Sequence, residues 1–270
     1  MSAQCLGKPA VFYVNAARGL FQYPAEEPMS MELRIGTSGW QYKHWRQRYY
    51  PESLACQKWL GFYTQDFDSV EINNSFYRLP SEQAADRWRL GTPADFRFAV
   101  KGSRYITHRK KLKDPESALA RFMPIVDRLG QKLGPILFQL PPHWRCDIAR
   151  LDGFLRALPS GHRFSFELRD PTWHTLEVYR ALRRHNAAFC LFELAGFQTP
   201  VELTADFVYV RLHGPGGKYQ GDYSHTVLEN WARRLERWSP RLVAAYVYFD
   251  NDEAAYAVKN AKELKRLVAP

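Results

Sequence analysis

From Leu33 onward the chain alternates short β-branched or aromatic runs with longer stretches of helical spacing, the pattern of repeated βα units around a parallel sheet. Eight runs are predicted as strands: 33–38, 69–73, 97–102, 135–140, 163–169, 187–194, 207–214 and 243–250. Between most of them apolar positions recur on one helical face, as in 115–130, where Ala118, Phe122, Ile125, Val126 and Leu129 fall together. Ser81 before Glu82-Gln83, Asp170-Pro171-Thr172 before Trp173, and Ser224 ahead of Leu228, Trp231 and Leu235 mark helix starts. Eight strands with intervening helices predict an α/β fold, a (β/α)8 TIM-type barrel whose functional face is built at the strand carboxyl ends. The stretch 195–206, with Gly196 and Pro200, is too short for a full helix, so the helix between strands 6 and 7 is expected to be reduced or absent. An open doubly wound sheet is disfavoured because Gly36-Thr37-Ser38-Gly39 lacks the G-x-G-x-x-G spacing.

Strand parity then assigns faces, since residues two apart point the same way. With Val70 and Ile72 turned toward the helices, Glu71 and Asn73 face inward; the same rule turns Glu167 and Arg169, and Tyr209, Arg211 and His213, inward. It adds Lys101 from the third strand, Gln139 from the fourth and Glu193 from the sixth. An unpaired buried charge costs several kcal/mol, so such a cluster either pairs internally or meets a ligand. Its place at the mouth favours the ligand.

Composition narrows the partners. The 270 residues are 46% hydrophobic and 24% charged, which excludes wholesale disorder, and the formal charge of +10 favours anionic partners. The longest apolar run, 243–249, falls far short of the ~18–20 residues of a membrane span, so no membrane partner is expected. Cys5, Cys56, Cys146 and Cys190 are scattered without C-x-x-C spacing, which fits reduced thiols in the cytoplasm. Residues 1–30 end in the linker-like Pro24-Ala25-Glu26-Glu27-Pro28 and read as a leader or poorly attached extension; 31–270 read as a single barrel domain. After the first strand come Trp40, Tyr42, His44, Trp45, Tyr49 and Tyr50, rings suited to stacking on a base or sugar or to plugging the rim. After the third strand, residues 104–113 mix basic and hydroxyl groups as phosphate contacts require, with Arg104 and His108 nearest the strand end.

At these residues the sequence resembles the YecE-like family, domain of unknown function 72. The matching stretches are Gly36-Thr37-Ser38-Gly39-Trp40-x-Tyr42-x-x-Trp45, Glu71 through Pro80, Phe98-Ala99-Val100-Lys101, Thr107-His108, Gln139-Leu140-Pro141-Pro142, Glu167-Leu168-Arg169 with Trp173, Tyr209 through Gly214, and Tyr248-Phe249-Asp250-Asn251-Asp252. The resemblance implies a (β/α)8 barrel and lends no substrate. Asp250 stands where the family usually has a second asparagine.

The expected function is therefore an enzyme, a hydrolase or isomerase, that binds a small phosphorylated or carboxylated substrate, such as a sugar or nucleotide, at the barrel mouth. Glu71, Glu167 and His213 are the candidate acid–base groups. Lys101, Arg169 and Arg211 are the candidate anion clamp, with Asn73, Tyr77, Arg104, His108, Gln139, Trp40, Tyr42 and Asn251 as further substrate contacts. No cofactor is expected. One alternative is a metal-dependent phosphodiesterase or endonuclease-like enzyme holding a divalent ion on Glu71, Glu167, His213 and Asp250, although lysines and arginines share the mouth. Another is a non-catalytic protein that binds single-stranded or damaged nucleic acid.

Overall fold

The computed structural model describes residues 31–269, so the leader expected over 1–30 lies outside the described residues. Among the described residues there are ten strands: β1 (Glu32–Thr37), β2 (Ser69–Ile72), β3 (Arg97–Lys101), β4 (Leu133–Gln139), β5 (Phe164–Glu167), β6 (Ala188–Phe189), β7 (Leu191–Leu194), β8 (Phe197–Gln198), β9 (Phe207–Leu212) and β10 (Ala244–Phe249). They form two five-stranded sheets, ordered β1-β10-β9-β7-β8 and β2-β3-β4-β5-β6, with every pairing parallel except the β7/β8 hairpin. The described residues also form seven α-helices: α1 (Trp59–Tyr63), α2 (Glu82–Leu90), α3 (Pro115–Asp127), α4 (Ile148–Ala157), α5 (Leu176–Arg184), α6 (His225–Trp238) and α7 (Tyr256–Val268). Among the described residues, no helix is long and apolar enough to cross a membrane.

The fold is thus mixed α/β with parallel sheets, and each predicted run carries strand. The sheets are not closed into one ladder, so the barrel expectation holds only at this coarser level. Two seams separate them. The sixth predicted run divides at Cys190: Ala188 and Phe189 pair with Ser165 and Phe166 of β5, while Leu191 to Glu193 pair with β9. At the other seam a single parallel bridge joins Ser38 to Glu71. Gly36 allows that approach, because a Cβ there would lie 2.2 Å from the Ser69 carbonyl oxygen.

Local chemistry explains the element ends. The Ser81, Thr175 and Ser224 hydroxyls accept from the backbone N–H groups of Ala84, Val178 and Val227, capping α2, α5 and α6. Asp170 caps only a short 3-10 turn, Pro171–Trp173, so the main helix starts later than the Asp-Pro-Thr signal suggests. Residues 195–206 hold β8 and no helix. The core has two parts. Val70, Ile72, Phe98, Val100, Phe166 and Val210 pack outward against helices, while Ala99, Leu137, Tyr209, Tyr246 and Tyr248 pack together on the opposite strand faces.

Candidate functional site

The inner strand faces carry the ionisable groups, and Arg211 of β9 lies at their centre. Its Nε and Nη2 donate to Glu71 Oε2 and Oε1 at 3.0 and 2.7 Å, a two-point pairing of planar groups. Nη1 donates to Glu167 Oε2 at 2.7 Å, and Nη2 also reaches Asp250 Oδ2 and Ser38 Oγ, each at 3.0 Å. Tyr209 OH donates to Glu71 Oε2 at 2.6 Å, and the Ser38 hydroxyl donates to Glu71 Oε1. His213 Nδ1 is 2.9 Å from Asp250 Oδ2, and its Nε2 is 3.6 Å from Glu167 Oε1. Glu71, Glu167, Arg211 and His213 are each 0% exposed. Arg211 is therefore corrected from an open anion clamp to the counter-charge of three buried carboxylates. Glu71, Glu167 and His213, expected to exchange protons directly with a ligand, are sealed beneath the surface with their polar atoms engaged.

The electrostatics follow from this pairing. Burial pushes the Glu167 carboxyl up, but Arg169, Arg211 and His213 outweigh it and hold Glu167 well below the usual carboxylate range. Burial likewise opposes ionisation of Asp250, yet Arg211 and His213 bring it below its ordinary value. Burial works against the Arg211 charge too, and Glu71, Glu167 and Asp250 overcome it, leaving the guanidinium charged throughout.

Two further cations, Arg169 and Lys101, adjoin this network. Arg169 donates from Nε to Glu167 Oε1 at 2.5 Å, while its Nη2 is buried without a partner among the described residues. Lys101, at the end of β3, is 5% exposed, and its ammonium rests 4.6 Å from the Phe76 ring centre. Among the described residues that ammonium makes no ion pair within 4 Å. Burial first, then Arg211, lowers Lys101 to about 8 against the opposing pull of Glu167, Asp250 and Glu71. Half-buried His108 accepts or donates at 2.9 Å with Thr107 Oγ1; burial, followed by Lys101, Arg169 and Arg104, depresses it to about 4 and keeps it neutral. Arg104 is exposed in the loop after β3, and Gln139, the last residue of β4, is buried with its amide N–H donating to the Leu140 carbonyl at 2.9 Å.

The remaining expected contacts divide. Asn73, Tyr42 and Tyr77 line one small cavity of about 230 Å³ with Gly39 and Gln41, and Asn73 Oδ1 is buried there without a partner. Tyr42 OH donates to the Ser38 carbonyl at 2.5 Å. Trp40 touches this cavity but is 3% exposed and packs edge-on against Trp88, ring centres 5.5 Å apart, so it is mainly a core residue. Asn251 is a correction: its amide donates to Gly221 O and Asn260 Oδ1, both at 2.8 Å, and it ties the loop after β9 to α7. Glu193 is a second: Phe192 occupies the inner face, 6.2 Å from the His213 ring, while Glu193 accepts from Gln198 at 3.1 Å. The β7 pattern Phe-Glu-Leu places an apolar residue on either side of the glutamate, and both of them turn to the inner face.

Two participants were not assigned from sequence. Ser38, one residue beyond β1, joins the Arg211 network, and the inward parity of Gly36 was its available signal. Asp252 accepts on its carbonyl from Trp45 Nε1 at 2.9 Å, and its carboxylate is 3.5 Å from His44 Nε2. Burial and the neighbouring Asp250 raise Asp252 to about 6.

The proposed metal ligands do not fit a divalent ion. Glu71, Glu167, His213 and Asp250 surround a guanidinium, and their lone pairs already meet Arg211, Arg169 and each other. Among the described residues no group of three or more His, Cys, Asp or Glu side chains is placed to hold a metal.

Comparison with known proteins extends over nearly the whole described chain. The family model described as "Protein of unknown function DUF72" matches residues 34–270. The chain is 31% identical over 251 residues to the UPF0759 protein YecE of Escherichia coli (strain K12), covering 83% of this chain and 88% of that one. It is 26% identical over 272 residues to the UPF0759 protein YunF of Bacillus subtilis (strain 168), covering 87% and 94%. Among solved structures, a DUF72 family protein from Thermotoga maritima MSB8 matches with a TM-score of 0.79 and 27% identity, over 88% of this chain and 99% of that one. A second, from Enterococcus faecalis V583, matches at 0.76 and 16% identity over 87% and 95%, a likeness of fold alone.

Proposed function

Since the chain belongs to the DUF72 family, a family of unknown function, we propose from the geometry of the site that this protein is an enzyme acting on a small anionic substrate. The two sheets act as halves of a (β/α)8 barrel, meeting at Ser38–Glu71 and at Cys190, and the substrate enters at the strand carboxyl ends. One observation carries the reading: among the described residues, Lys101 Nζ and Arg169 Nη2 have no anionic partner although three carboxylates lie in the same cluster. Arg211 holds Glu71, Glu167 and Asp250 by hydrogen bonds and offsets one of their three charges, so Arg169 and Lys101 complete the charge balance while keeping donor capacity for an incoming anion. An unpartnered buried donor costs about 1–3 kcal/mol, and a phosphate or carboxylate removes that cost. Arg104 adds charge at the rim, and neutral His108 supplies a hydrogen-bonding nitrogen.

The buried carboxylates and His213 serve this site from below. They orient Arg169 and Arg211, and the carboxylates pull the proton affinity of Lys101 upward against burial and Arg211. Glu167, held firmly ionised, is a weak base; the group poised to exchange a proton near neutral pH is Lys101.

Binding of inorganic phosphate, followed by calorimetry, tests this. Lys101→Met and Arg169→Met should each weaken it about tenfold, or roughly 1.4 kcal/mol, while Glu193→Gln leaves it unchanged. Equal phosphate affinity in wild type and both methionine variants, each shown to be folded, would remove the proposed site.

A further inference from the structure

We infer that Lys101 is a nucleophilic amine, placed to form an imine with the carbonyl group of a small substrate that also carries a phosphate or carboxylate. The inference rests on the anion-binding reading above and goes further by naming a reaction class and a covalent intermediate.

The geometry differs from that of a lysine kept for charge balance. The Lys101 stem is buried, and its nitrogen lies over the Phe76 ring at 4.6 Å, a surface that supports a cation without accepting its proton. Five oxygens of the cluster's carboxylates are already engaged: both Glu71 oxygens by Arg211, the Glu167 oxygens by Arg169 and Arg211, and Asp250 Oδ2 by Arg211 and His213. Arginine stays charged where lysine titrates, so the two residue types divide the work, one balancing charge and the other remaining free to lose a proton.

The groups acting on Lys101 come from every element around it. Arg211 projects from β9, Glu71 from β2, Glu167 from β5 with Arg169 just beyond it, and Asp250 follows β10; His108 and Arg104 belong to the loop after β3. Burial and Arg211 bring the amine to about 8, so about a tenth of it is the free base at pH 7. An exposed lysine at its ordinary value offers a few hundred times less.

The step balances without a further reactant. The ammonium releases a proton, and the amine lone pair attacks the carbonyl carbon. The C–N bond forms as the carbonyl π pair moves to oxygen, which takes up a proton to give a carbinolamine. A further proton transfer lets the hydroxyl leave as water, so ammonium plus carbonyl becomes protonated imine plus water. Nothing is oxidised or reduced. Arg169 Nη2 and Arg104 hold the anionic end, which fixes the carbonyl against Lys101.

Pyridoxal 5′-phosphate and pyridoxal form a matched pair of aldehyde probes with and without the anion. Glyoxylate is a smaller anionic aldehyde that guards against exclusion by size. Each is incubated with the full chain below one equivalent, reduced with borohydride, and the modified lysine located by peptide mass spectrometry. Lys101 should carry most of the label from an anionic probe, at least tenfold more than from pyridoxal, with a labelling rate that rises with pH around a midpoint near 8. Lys101→Arg should abolish this label and keep the fold by circular dichroism. Label spread over surface lysines by both anionic probes, with inorganic phosphate still bound, overturns the imine and leaves the anion site standing. Loss of phosphate binding as well overturns both.

Discussion

At the residue scale, Arg211 and Lys101 are both buried cations in one cluster, with opposite relations to their neighbours. Removing Arg211 leaves Glu71, Glu167 and Asp250 without their shared counter-charge, so Arg211→Met should cost about 3–5 kcal/mol by denaturant unfolding. Arg211→Lys keeps the charge, loses the two-point contact with Glu71, and should fall between. Stability of Arg211→Met equal to wild type would mean that the guanidinium does not hold the network. Lys101 should behave in the reverse sense. Its folded pKa of about 8 lies below the ordinary 10.5, so the unfolded chain binds more protons between these values and stability rises with pH across that window. At pH 7 the charged amine is a burden on the order of 3 kcal/mol at most, and Lys101→Met should be more stable than wild type there. That advantage should shrink as pH approaches 10; a constant difference between the two proteins across pH would contradict the shift.

At the element scale, the seams between the sheets decide where strand ends can meet. Gly36 faces the β2 backbone, and an added methyl would meet the Ser69 carbonyl oxygen at 2.2 Å with no rotamer to relieve it. Gly36→Ala should therefore cost about 3 kcal/mol or more and speed amide exchange at Ser38 and Glu71 ahead of α6. Gly61 in α1 has nothing within 4 Å of a built Cβ, so Gly61→Ala should be neutral or stabilising by up to about 1 kcal/mol. Denaturant melts of both variants check the contrast, and equal stabilities would refute the tight seam. Strand positions were legible because β-branched and aromatic runs are local signals. The division of the sixth run at Cys190 was not, since all of 187–194 has strand character and only the neighbours β5 and β9 split it.

At the scale of the whole molecule, the charge of +10 acts over distance whereas the Arg211 network acts by contact. Screening reaches about 10 Å at 0.1 M salt and about 3 Å at 1 M, so phosphate binding should weaken several-fold between those conditions. Most of the selectivity of the wild type over Lys101→Met should survive, because Lys101 and Arg169 are largely buried. A steep salt slope with a single-stranded oligonucleotide, combined with phosphate affinity indifferent to Lys101, would move the reading toward a nucleic-acid-binding surface.

The sequence by itself determined the alternation of strands and helices and the shared parity of Glu71, Lys101, Glu167, Arg169, Arg211 and His213. Each of these is a property of backbone geometry and residue type over a few positions. Only the tertiary structure decided who pairs with whom. Arg211 became a saturated counter-charge because β9 brings it among three carboxylates from other elements, and among the described residues Lys101 makes no ion pair while arginines hold the Glu71 and Glu167 oxygens. Trp40, Asn251 and Glu193 went to packing and loop anchoring for the same reason. Which side of a strand a residue faces is written locally, whereas what it meets there depends on segments far away in the chain.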